Sequence, residues 1–171
     1  HTDQIGPEHI IRRVNSTEVR SLATLYPWVK PGALVDGVSE QPSWSPDGTR
    51  IAHLFYPGVW DDPRHTQVAV LDLATGERRI LTGSLDRNCA PYPAPREPIW
   101  DGDDLLFATE DAGNTPLYRV AADGSADPAP VVAGDHNLAG YDVAGGVLVH
   151  ARTGPTSLAE VFVGERPITD V

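Results

Sequence analysis

Between Gln41 and Gly83 the chain alternates short apolar runs with clusters of turn-forming residues. The spacing predicts four strands. The first ends at Trp44 and is followed by Ser45-Pro46-Asp47-Gly48, where proline presets φ for a type I turn and glycine takes the exit. The second covers Arg50 to Tyr56. The third covers Thr66 to Leu73, and within it Val68, Ala69, Val70 and Leu71 form an unbroken apolar run. Alternation would mark a strand with one wet face, whereas an unbroken run implies burial on both. Asp72 to Glu77 then reads as a tight hairpin with Gly76 at positive φ, and the more polar Arg78 to Thr82 closes the unit. A four-stranded antiparallel meander that needs neighbours on both faces is a propeller blade.

The unit recurs. Pro98-Ile99-Trp100, the turn Asp101-Gly102-Asp103, Leu105 to Thr109, Pro116 to Val120 and Pro130 to Val132 repeat the order of strands and turns. A weaker copy starts at Gly140-Tyr141, turns at Ala144-Gly145-Gly146, and runs through Val147 to Ala151, Glu160 to Val163 and Arg166 to Thr169. Trp44, Trp100 and Tyr141 are about 40 to 55 residues apart, near the period of propeller blades. A β-sandwich of similar hairpins is the alternative, but turn type recurs in phase with strand order, which favours the propeller. The fold class expected is all-β, with three to four blades of a larger ring. The expected blades are 41–83, 97–134 and 138–171, preceded by a connecting segment or partial blade over 1–40.

These same residues carry a family resemblance. WSPDGTRIA followed by VAVLDLATGERRILT resembles the repeat shared by TolB-type propellers and the propeller domains of the prolyl oligopeptidase family. SLDRNCAPYP and REPIWDGDDLLFATEDAGNTPLYRVAADGS resemble the acylaminoacyl-peptidase branch of that family. GYDVAGGVLVHA and AEVFVGERPITDV look like the last blade before the hydrolase domain. The resemblance implies a propeller of about seven blades that covers an α/β-hydrolase domain and admits only short peptides to its serine, histidine and aspartate. This chain would then be a non-catalytic portion that gates and selects peptide substrates. Its partners would be short peptides and a hydrolase domain of the same polypeptide. The alternative is a TolB-like, free-standing propeller that binds a protein.

Composition narrows the picture further. The chain has 171 residues with 16 Gly and 16 Pro, as a turn-rich fold requires. A net charge of −11 argues against nucleic acid, which needs clustered Lys and Arg. No apolar run is long enough to span a membrane as a helix, and no signal peptide is evident. The chain begins at His1 without methionine, as a processed or truncated start would, and the expected compartment is cytoplasmic, with export the alternative. Cys89 is the sole cysteine, so an intrachain disulfide and a cysteine metal cluster are both ruled out. Within the first forty residues, His9 to Val14 reads as a strand. Asn15 to Glu18 has capping-box spacing, and Val19, Leu22, Ala23 and Tyr26 fall on one helical stripe that Pro27 would end.

The loops hold the candidate site. Strand polarity puts the short turns Ser45–Gly48 and Ala74–Glu77 at one end, and the long loops Pro57–His65 and Ser84–Glu97 at the other. Long irregular loops are where binding tends to sit. They carry Trp60, Asp61, Asp62, Arg64 and His65, and Asp86, Arg87, Asn88, Tyr92 and Arg96. An exposed Trp beside mixed charges suits a peptide site or an interface, while each acid could simply cap a turn or pair with a neighbouring Arg.

Catalysis within the chain is not expected. No Gly-x-Ser-x-Gly elbow occurs, and Ser43, Ser45 and Ser125 lie at or beside hairpin turns. His53 and His150 fall in strands and read as core, and His65 and His136 fall in loops at the candidate face. The histidines show no metal-binding spacing, and Asp101-Gly102-Asp103-Asp104 lacks the EF-hand length, so no metal or cofactor is expected. Unpaired blade edges and exposed apolar faces would favour self-association.

Overall fold

The computed structural model describes residues 11–13, 18–21, 37–58, 64–92 and 96–170. The chain divides into two compact units, His1–Gly37 and Val38–Val171. In the first, β1 (Ile11–Arg13) pairs antiparallel with β2 (Val19–Ser21), Arg12 facing Arg20. The strand expected around Ile11 is present. The amphipathic helix expected to start near Asn15 is not formed over 18–21, where β2 stands instead. Val19 is β-branched and suits a strand, and pairing with β1 satisfies backbone groups that a short isolated helix would leave marginal. Leu22, Ala23 and Tyr26 lie outside the described residues.

The second unit holds three four-stranded antiparallel sheets, each a simple meander. The first blade is β3 (Gly37–Trp44), β4 (Arg50–Pro57), β5 (Gln67–Asp72) and β6 (Arg78–Ile80). The second is β7 (Ile99–Asp101), β8 (Asp104–Ala108), β9 (Leu117–Ala121) and β10 (Ala129–Val132). The third is β11 (Asn137–Ala144), β12 (Val147–Gly154), β13 (Ser157–Val163) and β14 (Arg166–Pro167). No helix occurs among the described residues.

Two cores lie between the blades, and the period of a strand decides which side chain enters which. Ala52, Leu54, Val68 and Val70 of the first blade form one core with Leu105, Phe107, Val120 and Ala122 of the second. Leu106, Ala108, Leu117 and Val132 of the second blade form another with Tyr141 of the third, with Leu138, Val143 and Leu148 packed against it. On β8, Leu105 and Phe107 therefore enter one core while Leu106 and Ala108 enter the other, since successive side chains of a strand point to opposite faces. The apolar run in β5 behaves as expected, with Val68, Ala69 and Val70 all buried.

Turn chemistry fixes the short-turn end. Gly48 N–H donates to Ser45 carbonyl at 2.9 Å, closing the turn with Gly48 at φ 70°. Asp47 Oδ1 accepts from the Ser45 hydroxyl (2.6 Å) and from the Thr49 amide (3.0 Å) and hydroxyl (2.9 Å). The Ser45 hydroxyl, then the Thr49 amide and hydroxyl, hold the Asp47 carboxyl down to about 2. In the second hairpin Gly76 N–H donates to Asp72 carbonyl at 2.8 Å, with Gly76 at φ 71°. Leu73 N–H donates to Thr49 carbonyl at 3.1 Å, so the two short turns of the first blade meet at one end.

The repeat places Trp44 and Trp100 at equivalent ends of the first strand in successive blades, which predicts that both are largely buried. Their equivalence follows from register: Ser45 meets Arg50 by backbone hydrogen bonding as Asp101 meets Asp104, one residue after each tryptophan. Their burial differs. Trp100 is half-buried, its indole N–H donating to Ser43 carbonyl at 3.2 Å with the Arg50 guanidinium 5.0 Å above its ring. Trp44 is 64% exposed. The blade before Trp100 supplies its cover; within 38–171 no blade precedes Trp44.

Candidate functional site

Hairpin polarity gathers the connections at 64–66, 84–92, 109–116 and 133–136 at the end opposite Asp47 and Thr75. Asn88 organises this end. Its backbone pairs with Glu110, whose amide donates to the Asn88 carbonyl at 2.9 Å. Its side-chain oxygen accepts from the Thr66 and Ala90 amides (3.3 Å each), and its Nδ2 donates to Ala90 carbonyl (3.0 Å) and Glu110 Oε2 (3.1 Å). The other Glu110 oxygen accepts the Tyr92 amide at 2.7 Å. Asn88 and Glu110 thus staple the inter-blade crossing onto the β8–β9 loop. Glu110 escaped the sequence reading because an acid directly after a strand looks like any turn residue.

The remaining candidates divide into pairs. His65 Nε2 lies 3.2 Å from Asp86 Oδ1, an exposed contact of little energetic weight. Arg87 Nε donates to Asp111 Oδ1 at 2.8 Å, tying the crossing to the second blade. Arg96 Nη1 donates to the Tyr141 carbonyl, and its guanidinium lies 5.1 Å above the Tyr141 ring. Tyr92 is 88% exposed. Arg64 sits beside His65 in a shallow depression with Ser84, Leu85 and Asp86. Trp60, Asp61 and Asp62 lie outside the described residues.

Tyr92 and Arg96 border a cavity of about 280 Å3 between the second and third blades, lined also by Pro91, Ala108, Thr115, Leu138, Ala139, Gly140 and Tyr141. Burial pushes the Tyr141 phenol up to about 12. Thr115 joins the blades around it: its amide donates to His136 carbonyl at 3.1 Å and its hydroxyl to Asn137 Oδ1 at 3.0 Å. Sequence reading marked Tyr141 only as a repeat position, because the cavity forms from segments about 50 residues apart.

Among the described residues, Ser45, Cys89, His53, His136 and His150 are buried. Ser45 is buried and held in its turn. Cys89 is buried, and desolvation pushes its thiol up to about 11, so it is not an activated thiolate. His53 and His150 are buried in strands, as expected. His150 stacks on Phe162 at 5.3 Å with Nε2 3.0 Å from Gly164 carbonyl. His136, expected at the loop face, is in a loop but buried, and desolvation lowers its pKa first among several causes. Among the described residues no three His, Cys, Asp or Glu side chains converge as metal ligands would.

No protein-family model matches the chain. Solved structures do. The β-propeller domain of the Trilobed protease from Pyrococcus furiosus aligns with TM-score 0.62 and 22% identity over 82% of this chain. The chain folds as blades of a β-propeller. An acylaminoacyl peptidase from Pyrococcus horikoshii aligns with TM-score 0.62 and 19% identity over 91% of the chain. A puromycin-hydrolyzing peptidase from Mycobacterium tuberculosis aligns with TM-score 0.55 and 19% identity over 86%. The propeller described here spans 43%, 22% and 22% of those three chains respectively.

Proposed function

We propose that these blades are the non-catalytic propeller portion of a prolyl oligopeptidase-family serine peptidase, gating and selecting short peptides for an α/β-hydrolase domain of the same polypeptide. The observation that carries this is the likeness in fold to the propeller domain of one protease and to two further peptidases. The WSPDG repeat and the later acylaminoacyl-peptidase-like stretches agree with it. So does the clustering of long loops, with exposed Tyr92 and the Arg96 cation, at one end of the blades. Recognition is the task left to this chain: the Gly-x-Ser-x-Gly elbow is absent from its sequence and its buried thiol is held protonated.

The test is the gene's reading frame beyond Val171, followed by assay of the complete product. The expected result is a downstream Gly-x-Ser-x-Gly within an α/β pattern. The complete protein should hydrolyse acyl-aminoacyl anilides and leave folded proteins intact, while the 171-residue chain hydrolyses neither. A frame without a hydrolase pattern would overturn this reading in favour of a protein-binding propeller.

A further inference from the structure

The cavity between the second and third blades combines apolar walls with one cation at its rim. Ala108, Leu138 and the Tyr141 ring supply the walls, and Tyr92 stands exposed beside the mouth. At Gly140 a Cβ would meet nothing within 4 Å, so the backbone there faces open space. The guanidinium of Arg96 is held by stacking on the Tyr141 ring and by its Nη1 bond to the Tyr141 carbonyl. Its Nε faces Glu97 Oε1 at 3.7 Å, too far for a hydrogen bond. Arginine carries five N–H donors in a planar fork, and among the described residues this one is seen to donate through Nη1.

We propose that this cavity seats the C-terminal residue of a short peptide, with an apolar side chain between the blades and the terminal carboxylate on Arg96. The proposal rests on the peptide-selecting reading above and gives it a residue-level site. Size supports it, since about 280 Å3 is just under the lower limit of drug-sized pockets and suits one large side chain. Charge selects the anion. Glu97 Oε1 stands 3.7 Å from Arg96 Nε and Glu110 accepts the Tyr92 amide at 2.7 Å, so this rim already carries negative charge and repels a monoanionic carboxylate less than a dianionic phosphate. A guanidinium receives a planar carboxylate in bidentate fashion, through two parallel N–H donors.

Titration calorimetry on the 171-residue chain tests this with three probes: N-acetyl-L-phenylalanine, its C-terminal amide and phenyl phosphate. The free acid should bind with a millimolar Kd, and the amide and the phosphate each at least about tenfold more weakly, the scale of one charge-assisted hydrogen bond. Arg96→Gln should bring the acid down to the level of the amide while leaving amide binding unchanged, which also shows that the variant folds. Gly140→Leu fills the cavity and should abolish binding of all three. Equal binding of acid and amide, acid binding unaffected by Arg96→Gln, or no binding at millimolar concentration each overturns the site. None of these outcomes touches the hydrolase reading, which is decided by the downstream frame.

Discussion

The second and third blades share a topology and differ in what covers them. In β8, Leu105, Leu106 and Phe107 are all at or below 1% exposure, because the first blade covers one face and the third covers the other. In β12 only His150 is buried, and Val147, in a run that reads just as apolar, is 52% exposed. Tyr141, Leu138, Val143 and Leu148 turn toward the second blade. Val149 and Ala151 pair with Val163 and Val161 on the opposite face and stay half-buried, with no blade after them among the described residues. Between these two blades the apolar runs read alike, and their burial differs with the neighbouring blade that covers each face.

Substitutions sharpen this contrast, and the largest effect belongs in the middle blade. Phe107→Ala should destabilise the chain by about 3 to 5 kcal/mol, whereas Val149→Ala should cost under about 1 kcal/mol, since little apolar area leaves water there now. Chemical denaturation of both variants measures the difference. Similar values would show that the third blade's outer face is covered in solution.

The tryptophans give a smaller version of the same test at equivalent positions. Trp100→Ala loses the Ser43 hydrogen bond and the Arg50 stacking, and should cost about 2 to 3 kcal/mol. Trp44→Ala, at 64% exposure, should fall within about 0.5 kcal/mol of the parent. Acrylamide quenching of the two single-Trp-deleted proteins offers an independent readout, with the emission that disappears in Trp44→Ala being the more quenchable. A loss of stability at Trp44 equal to that at Trp100 would mean that the first blade is as well covered as the second.

Near neutral pH the third effect is the smallest, and it grows with alkalinity. Cys89 in the first inter-blade core and Tyr141 in the second are both held protonated by burial. An acid whose folded pKa is raised ionises first in the unfolded chain. Stability therefore falls as pH rises, from about 9 to about 11 for Cys89 and from about 10 to about 12 for Tyr141. Cys89→Ala should remove the earlier part of the decline and Tyr141→Phe the later part. A thermal midpoint flat between pH 8 and pH 11, values bracketing about one ordinary Cys pKa, would contradict the burial of Cys89.

The sequence by itself determined the meanders. Ser45-Pro46-Asp47-Gly48 and Asp72 to Glu77 carry their turn geometry in residues within four positions of one another, and the hydrogen bonds to Asp47 and Asp72 are just as local. The apolar run at Val68 to Leu71 likewise announced two buried faces from neighbouring residues alone. Tertiary structure decided whatever depends on a distant partner. Asn15 to Tyr26 had the spacing of a capped helix, yet Val19–Ser21 pairs with β1, because hydrogen bonds supplied by another strand outweigh a weak local preference. Trp44 and Trp100 look alike in sequence and differ in exposure, since cover comes from an adjacent blade. The cavity beside Arg96 needs Pro91, Ala108 and Gly140 from separate segments, so only the packing of one blade on the next brings it into being.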